Sequence, residues 1–198
     1  MYPESLKNLI DSFKYLPGIG DKTAERLAFA MLNFDKEKLS FFANSLIDIR
    51  DNIRRCPICH NITDKEICSI CSDDKRKKEI IFVVEKPKDI VLFEKINAFQ
   101  GVYHVLDGLI SPLDGINPED INLKSLIEKI DNNTVEEVIL ALKPSIEGET
   151  TMQYIKKVLS SKDIKITKIA TGIPIGTDME YLDPITLEMS LDQRKEIS

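Results

Sequence analysis

No apolar run in this 198-residue chain approaches the roughly 18 residues that a membrane-spanning helix requires. The longest, "IIFVV" and "VILAL", are strand-sized. The opening "MYPESLKNLIDSFKYLPGIG" lacks a basic head, an apolar centre and a small-residue cleavage site, so no secretory signal is expected. Low-complexity tracts and internal repeats are absent. The phosphate-loop pattern G-x-x-x-x-G-K-S/T does not occur, and ATP hydrolysis is not expected. No catalytic tyrosine declares itself among Tyr2, Tyr15, Tyr103, Tyr154 and Tyr181. Cysteine is missing from all of the chain but one stretch, "CPICHNITDKEICSIC", residues 56–71.

That stretch holds Cys56, Cys59, Cys68 and Cys71. A cytosolic chain keeps its thiols reduced, which argues against disulfides. Two C-x-x-C pairs form two tight knuckles, each presenting two thiolates, and the short hairpin between them brings the pairs together around a tetrahedral zinc ion. A redox centre would need one C-x-x-C opening a helix. Four thiolates complete the coordination shell, so His60 is read as a surface bystander. A closed site leaves no position for substrate; the expected cofactor is one structural Zn²⁺ per chain.

Charged residues make up 30% of the chain and hydrophobic ones 42%, the balance of a folded protein of one large or two small domains. The net charge of −6 argues against indiscriminate nucleic-acid binding. Its distribution is uneven: residues 1–55 carry +1, 56–79 balance, and 80–198 carry −7. The acidic C-terminal part suits a protein partner or metal ions better than a phosphate backbone. The run "DDKRKKE" (73–79) is either a solvated face or a contact for a polyanion.

Periodicity divides the chain. In the N-terminal part Leu6, Leu9, Ile10, Phe13 and Leu16 recur at helical spacing. So do Ala24, Leu27, Ala28, Met31 and Leu32, behind Asp21 as the expected N-cap. Leu39, Phe42, Ala43, Leu46, Ile49 and Ile53 form a third stripe. Three such helices predict a small bundle. From residue 79 strand-like runs ("EIIFVVE", "GVYHVL", "VEEVILAL", "IKITKIA") alternate with helical ones ("KPKDIVLFEKIN", "NLKSLIEKI", "ETTMQYIKKVLSS"), which predicts a mostly parallel sheet with helices on its faces. "TLEMSLDQRKEI" is a final helix, and "DGLISPLDGINPEDI" is a Gly/Pro-rich loop of the length usually kept for function.

Two motifs carry candidate chemistry. In "LPGIGDKTAERLA", Gly18 and Gly20 permit positive φ and close backbone approach. The following helix start offers free N–H groups to an anion, and Lys22 and Arg26, four apart, share the face beside them. This is a helix-hairpin-helix clamp for DNA phosphates, blind to sequence; the plain alternative is an αα-turn with solvent-facing cations. In the second motif, Glu85 follows a strand in "VVEKP", and Glu147 and Glu149 follow another in "SIEGET". Ligands of open α/β sheets meet the carboxyl ends of strands, and three such carboxylates suit one Mg²⁺. The arrangement is similar to the Toprim domain of primases and topoisomerases, with Glu-Gly-Glu in place of the usual Asp-x-Asp. A chance pattern of acidic loops remains the other reading.

The order of parts, with "LPGIGDKTAERLAF", the four cysteines, "VVEKPKDI", "GVYHVLDGLISPLDGI", "IEGETT" and "IATGIPIGTDMEYLDPITL", resembles the RecR family of bacterial recombination mediators over nearly the whole chain. The resemblance implies a multidomain α+β protein: a helix-hairpin-helix DNA-binding region (1–55), a zinc finger (56–78), a Toprim domain (79–171), and a Walker B-like segment with an oligomerisation helix (172–198). It implies no enzyme and no catalytic residue. The implied partners are DNA, RecO and, in some bacteria, RecF, in loading RecA onto single strands coated by single-strand-binding protein. It further implies a ring-shaped homotetramer, a cytoplasmic, nucleoid-associated setting and no membrane. DNA contact falls on Lys22 and Arg26, zinc on the four cysteines, and RecO docking on Glu147, with Glu85 and Glu149. The sequence departs from the family pattern at Asp21, often proline, at Lys143, usually asparagine, and at Thr171, usually histidine. The rival expectation is a metal-dependent Toprim nuclease or primase-like enzyme.

Overall fold

The structure is a computed structural model describing residues 2–132, 134–192 and 194. It divides into two units, Met1–Ile53 and Arg54–Ser198. No helix among the described residues is long and apolar enough to cross a membrane.

The first unit contains α1 (Glu4–Phe13), α2 (Asp21–Met31) and α3 (Lys36–Asn52). Its core is small: Ile10 packs with Ala24 and Ala28, and Leu6, Leu9, Phe13 and Ile19 close the edges. Alanines at i and i+4 give α2 a flat face against which α1 settles. Tyr2 ties the chain start to α2, donating to Glu25 and meeting Phe29 edge to face at 5.5 Å. Two expectations fail here. Asp21 does not cap α2: Gly20 takes that position with no side-chain cap, and Asp21 is the first helical residue. Its carboxylate accepts instead from Lys14 Nζ at 3.1 Å. Nor is there a three-helix bundle, because α3 buries no residue. The α1–α2 core is already closed by its own side chains, so Leu39, Phe41, Phe42, Leu46, Ile47 and Ile49 stay exposed. Leu16 lies beyond the end of α1 and is exposed too.

The second unit opens with an antiparallel ribbon of β1 (Arg54–Arg55) and β2 (Ile62–Thr63). The main sheet follows, with β3 (Lys77–Val84), β4 (Gly101–Val105), β5 (Glu137–Ala141) and β6 (Lys165–Lys168) in the order β4-β3-β5-β6, all parallel. Its helices are α4 (Pro87–Ile96), α5 (Leu123–Asp131) and α6 (Ile146–Val158). The last helix, α7, runs Pro184–Asp192; of the helix expected over 186–197, residues 193 and 195–197 lie outside those described.

Alternation along β3 explains its continuous apolar run. Ile81 and Val83 enter a core with Val102, Val138, Leu126 and Ile155, while Phe82 and Val84 enter a second core with Ile90, Tyr103 and Val105. A strand covered on both faces has no solvent side and needs no polar alternation. Each side chain so buried contributes about 1.5–3 kcal/mol. The second core also contains Cys56, Cys59, Cys68 and Ile70. The cysteine element is therefore part of the sheet's packing rather than a free-standing finger.

Candidate functional site

The glycine elbow lies between α1 and α2. Gly18 has φ +81°, the left-handed region that favours glycine, and turns the chain so that Ile19 packs into the small core. Gly20 is extended (φ −89°, ψ 175°). A Cβ added at either glycine would meet nothing within 4 Å. Lys22 and Arg26 are both exposed on the first turns of α2, and α2 starts without a side-chain cap, so its leading N–H groups lie open to an anion. Asp21 adds a negative charge at this point, but Lys14 bridges it and Asp11, at 3.1 and 2.9 Å. The two hydrogen bonds hold the Lys14 pKa above its ordinary value. No sequence periodicity foretold the Lys14–Asp21 pair, which forms across a turn.

The four cysteines come together. None is in a disulfide; Cys56, Cys59 and Cys68 are buried, and Cys71 is partly so. Their sulfurs lie within 4.8 Å of one another, with Cys59 and Cys68 Sγ 3.5 Å apart. Zinc–sulfur bonds of about 2.3 Å place tetrahedral sulfurs about 3.8 Å apart, so the four sulfurs fit one ion. Tight turns shape both knuckles: His60 N donates to the Cys56 carbonyl at 2.9 Å, and Ser72 N to that of Cys68 at 3.1 Å. Hydrogen bonds from Cys59 and Cys71 pull the Cys68 thiol pKa down to about 2, while the bond with Cys68 pushes Cys59 up. Four converging sulfurs at tetrahedral spacing, three of them buried, make a closed structural zinc site.

His60 is not a bystander. Its φ is +61°, its Nε2 meets Ser125 Oγ on α5 at 2.8 Å, and its ring lies edge to face with buried His104 at 5.3 Å. Arg55 reinforces this docking. It donates to both Asp107 carboxylate oxygens, at 2.9 and 2.8 Å, and to the His60 carbonyl at 3.0 Å. Asp107 also has positive φ (+63°). The Arg55–Asp107 and His60–Ser125 partners are about fifty residues or more apart in sequence and left no local signal. A further hub joins α4 to the strands: Arg76 forks onto Glu94, and Tyr103 Oη donates to Glu94 Oε1 at 2.8 Å.

The acidic trio separates. Glu85 directly follows β3 and pairs with Lys86 at 3.2 Å. Glu147 and Glu149 lie in the first turn of α6, behind the N-cap Ser145, and not in a loop. Residues i and i+2 of a helix point to different sides. Accordingly Glu149 reaches Lys168 at 3.7 Å and accepts from Gln153 at 3.0 Å. Glu147 is half-buried, its pKa lowered first by a hydrogen bond from Ser145 and further by Lys143. Among the described residues, the cysteines are the only group of three or more potential metal ligands whose donor atoms approach within 4.8 Å. Gly148 between the glutamates has a steric cause: a Cβ there would lie 1.9 Å from the Lys143 carbonyl oxygen. Two neighbours of Glu147 carry no sequence signal: Ile146, and Asp114 at a loop tip that also holds Leu113. Ile146 and Leu113 are 83% and 98% exposed, and Asp114 acts electrostatically on Glu147.

Four family models match the chain in sequence order. A RecR helix-hairpin-helix model covers residues 6–50, a RecR four-cysteine zinc finger domain 53–73, a Toprim domain 79–170, and a RecR C-terminal model 172–195. Only short joins and the chain ends fall between them. With each part in its place and the zinc knuckles packed on the Toprim sheet, the chain belongs to the RecR family of DNA repair and recombination mediators.

Proposed function

We propose that this chain is a non-enzymatic DNA clamp that works as a closed oligomer, a ring-shaped tetramer. The observation that carries the reading is α3. A 17-residue helix that buries nothing and exposes Leu39, Phe41, Phe42, Leu46, Ile47 and Ile49 leaves the first unit unfinished. Contiguous apolar patches of this kind mark protein interfaces, and a second copy supplies the same apolar face. Lys22 and Arg26, with Gly18 and Gly20, are the DNA contacts. The glycines leave open space where a phosphate can approach the backbone. One clamp grips weakly. Four copies facing a common bore gain by effective concentration. Eight cations on phosphates would give a salt slope of about −7.

In this reading residues 1–55 bind DNA, 56–78 hold zinc, 79–171 form the docking domain, and 172–198 serve oligomerisation. Glu147, with Glu85 and Glu149, meets RecO. A half-buried Glu147 and an exposed Glu149 beside exposed Leu113 and Ile146 suit a basic partner with an apolar anchor. RecF is a further partner, and the assembly loads RecA onto coated single strands in the cytoplasm, at the nucleoid. The rival metal-dependent enzyme needs Glu85, Glu147 and Glu149 on one ion, and the helical placement of the last two works against that.

The test is mass in solution, with and without DNA, for the wild type and for Lys22→Ala/Arg26→Ala. The expected result is an oligomer in both proteins and DNA retention in low salt, with partner present, only in the wild type. A strictly monomeric wild type, or full retention by the double variant, overturns the reading.

A further inference from the structure

The zinc site has a charge problem that its own four residues do not solve. Four thiolates around a divalent ion leave two net negative charges, in a setting where three of the four cysteines are buried. Buried net charge is costly unless it is compensated nearby. The zinc element has neutral support in plenty: the Cys59 carbonyl accepts from Val105 N at 2.9 Å, and His60 is held by Ser125. None of this supplies a cation.

One helix does. On α5, Ser125 and Lys129 are four residues apart and so share a face. Ser125 holds His60, the residue after Cys59, and one turn on Lys129 extends along the same element. Lys129 Nζ donates to the Tyr103 carbonyl at 3.1 Å. Its side chain lines a cavity of about 240 Å³ together with Cys71 and Ile58, on the zinc element, and Ile81, Val102 and Val135, on the sheet side. Lys78 reaches the same cavity but is exposed and committed to Asp74 at 3.2 Å. Arg55 is committed to Asp107.

We propose that Lys129 is the counter-charge of the zinc site, a positioning residue whose ammonium offsets the negative charge of the metal–thiolate centre and so slows zinc loss. Outer residues of this kind typically change metal affinity 10- to 100-fold. The role is independent of DNA and partner binding.

The test uses the full-length zinc-loaded protein and a chromogenic chelator that reports zinc as it leaves. Lys129→Gln removes the charge and keeps a hydrogen-bond donor; Lys129→Arg keeps the charge. The expected result is zinc transfer accelerated by roughly tenfold or more in Lys129→Gln, and near the wild-type rate in Lys129→Arg. Lys124→Gln removes an equal charge from the exposed side of the same helix, and its rate should stay close to wild type. The proposal is overturned if Lys129→Gln releases zinc at the wild-type rate. It is equally overturned if Lys129→Arg loses zinc as fast as Lys129→Gln, or if Lys124→Gln matches Lys129→Gln. Should Lys129→Gln fail to fold, Lys129→Met, which keeps the length of the side chain and removes the charge, takes its place with the same two outcomes.

Discussion

Gly148→Ala sets two physical effects against each other. In the interior of a helix, alanine in place of glycine is worth about 1 kcal/mol in favour of folding. Gly148 is a helical residue of α6, so propensity alone predicts a more stable protein. The neighbourhood predicts the opposite. The new Cβ would stand 1.9 Å from the Lys143 carbonyl oxygen, and ordinary contact begins near 3.4 Å, so about 1.5 Å of displacement is required. The obstacle is backbone, which cannot rotate away as a flexible side chain would. That carbonyl also accepts from Ser145 N at 2.9 Å, and Ser145 caps α6 by accepting from Gly148 N at 3.2 Å. A shift large enough to relieve the contact therefore disturbs the cap. Overpacking costs about 1–3 kcal/mol, and a rigid obstacle belongs at the upper end. After the propensity gain, a net loss of about 2 kcal/mol remains. For a unit of this size that is a fall of about 4–8 °C in melting temperature. Thermal unfolding followed by circular dichroism measures it. A Gly148→Ala protein that melts at or above the wild type would refute the steric argument, and with it the explanation for glycine between the two glutamates.

Three further outcomes follow from the same geometry. Cys59→Ser should leave the protein without zinc by native mass measurement and lower its stability by more than about 4 kcal/mol, because structural metal is folding energy and the site is built into the core of the sheet. Glu94→Gln should cost about 2 kcal/mol at pH 7, since it breaks charge-assisted bonds from Arg76 and Tyr103 in a part-buried hub. Arg76, then Tyr103, holds the folded-state pKa of Glu94 below the ordinary value of 4.5. The advantage of the wild type is thus fully present above that value and closes as pH falls through the folded pKa; urea midpoints of both proteins across pH 3–7 check the sign. Lys14→Ala should weaken DNA retention roughly twofold by unmasking Asp21, and Lys14→Ala/Asp21→Asn should recover it; equal retention by all three proteins would show that the pair is irrelevant to the clamp.

Much of this molecule is written in short-range pattern. Two C-x-x-C pairs eight residues apart favour two knuckles that share one metal ion. Runs such as "IIFVV" and "VILAL" separated by helical periods leave a parallel sheet with covered faces as the economical solution. Gly18 announces a left-handed turn, and the elbow with Lys22 and Arg26 follows from it. Local pattern also supplied the four family parts in their order. It misjudged whatever depends on what an element meets. The spacing of Leu39, Phe42 and Leu46 specifies a helix face but not what covers it, and in α3 nothing within the unit does. Glu147 and Glu149 looked like neighbours, yet the N-cap at Ser145 starts α6 early and turns them apart. His60 beside Cys59 looked spare until the fold set Ser125 against it. The reason is common to all three: periodicity and turn chemistry act over a few residues, whereas Arg55–Asp107, His60–Ser125 and the cavity lined by both Lys129 and Cys71 join positions that only the packed sheet brings within reach.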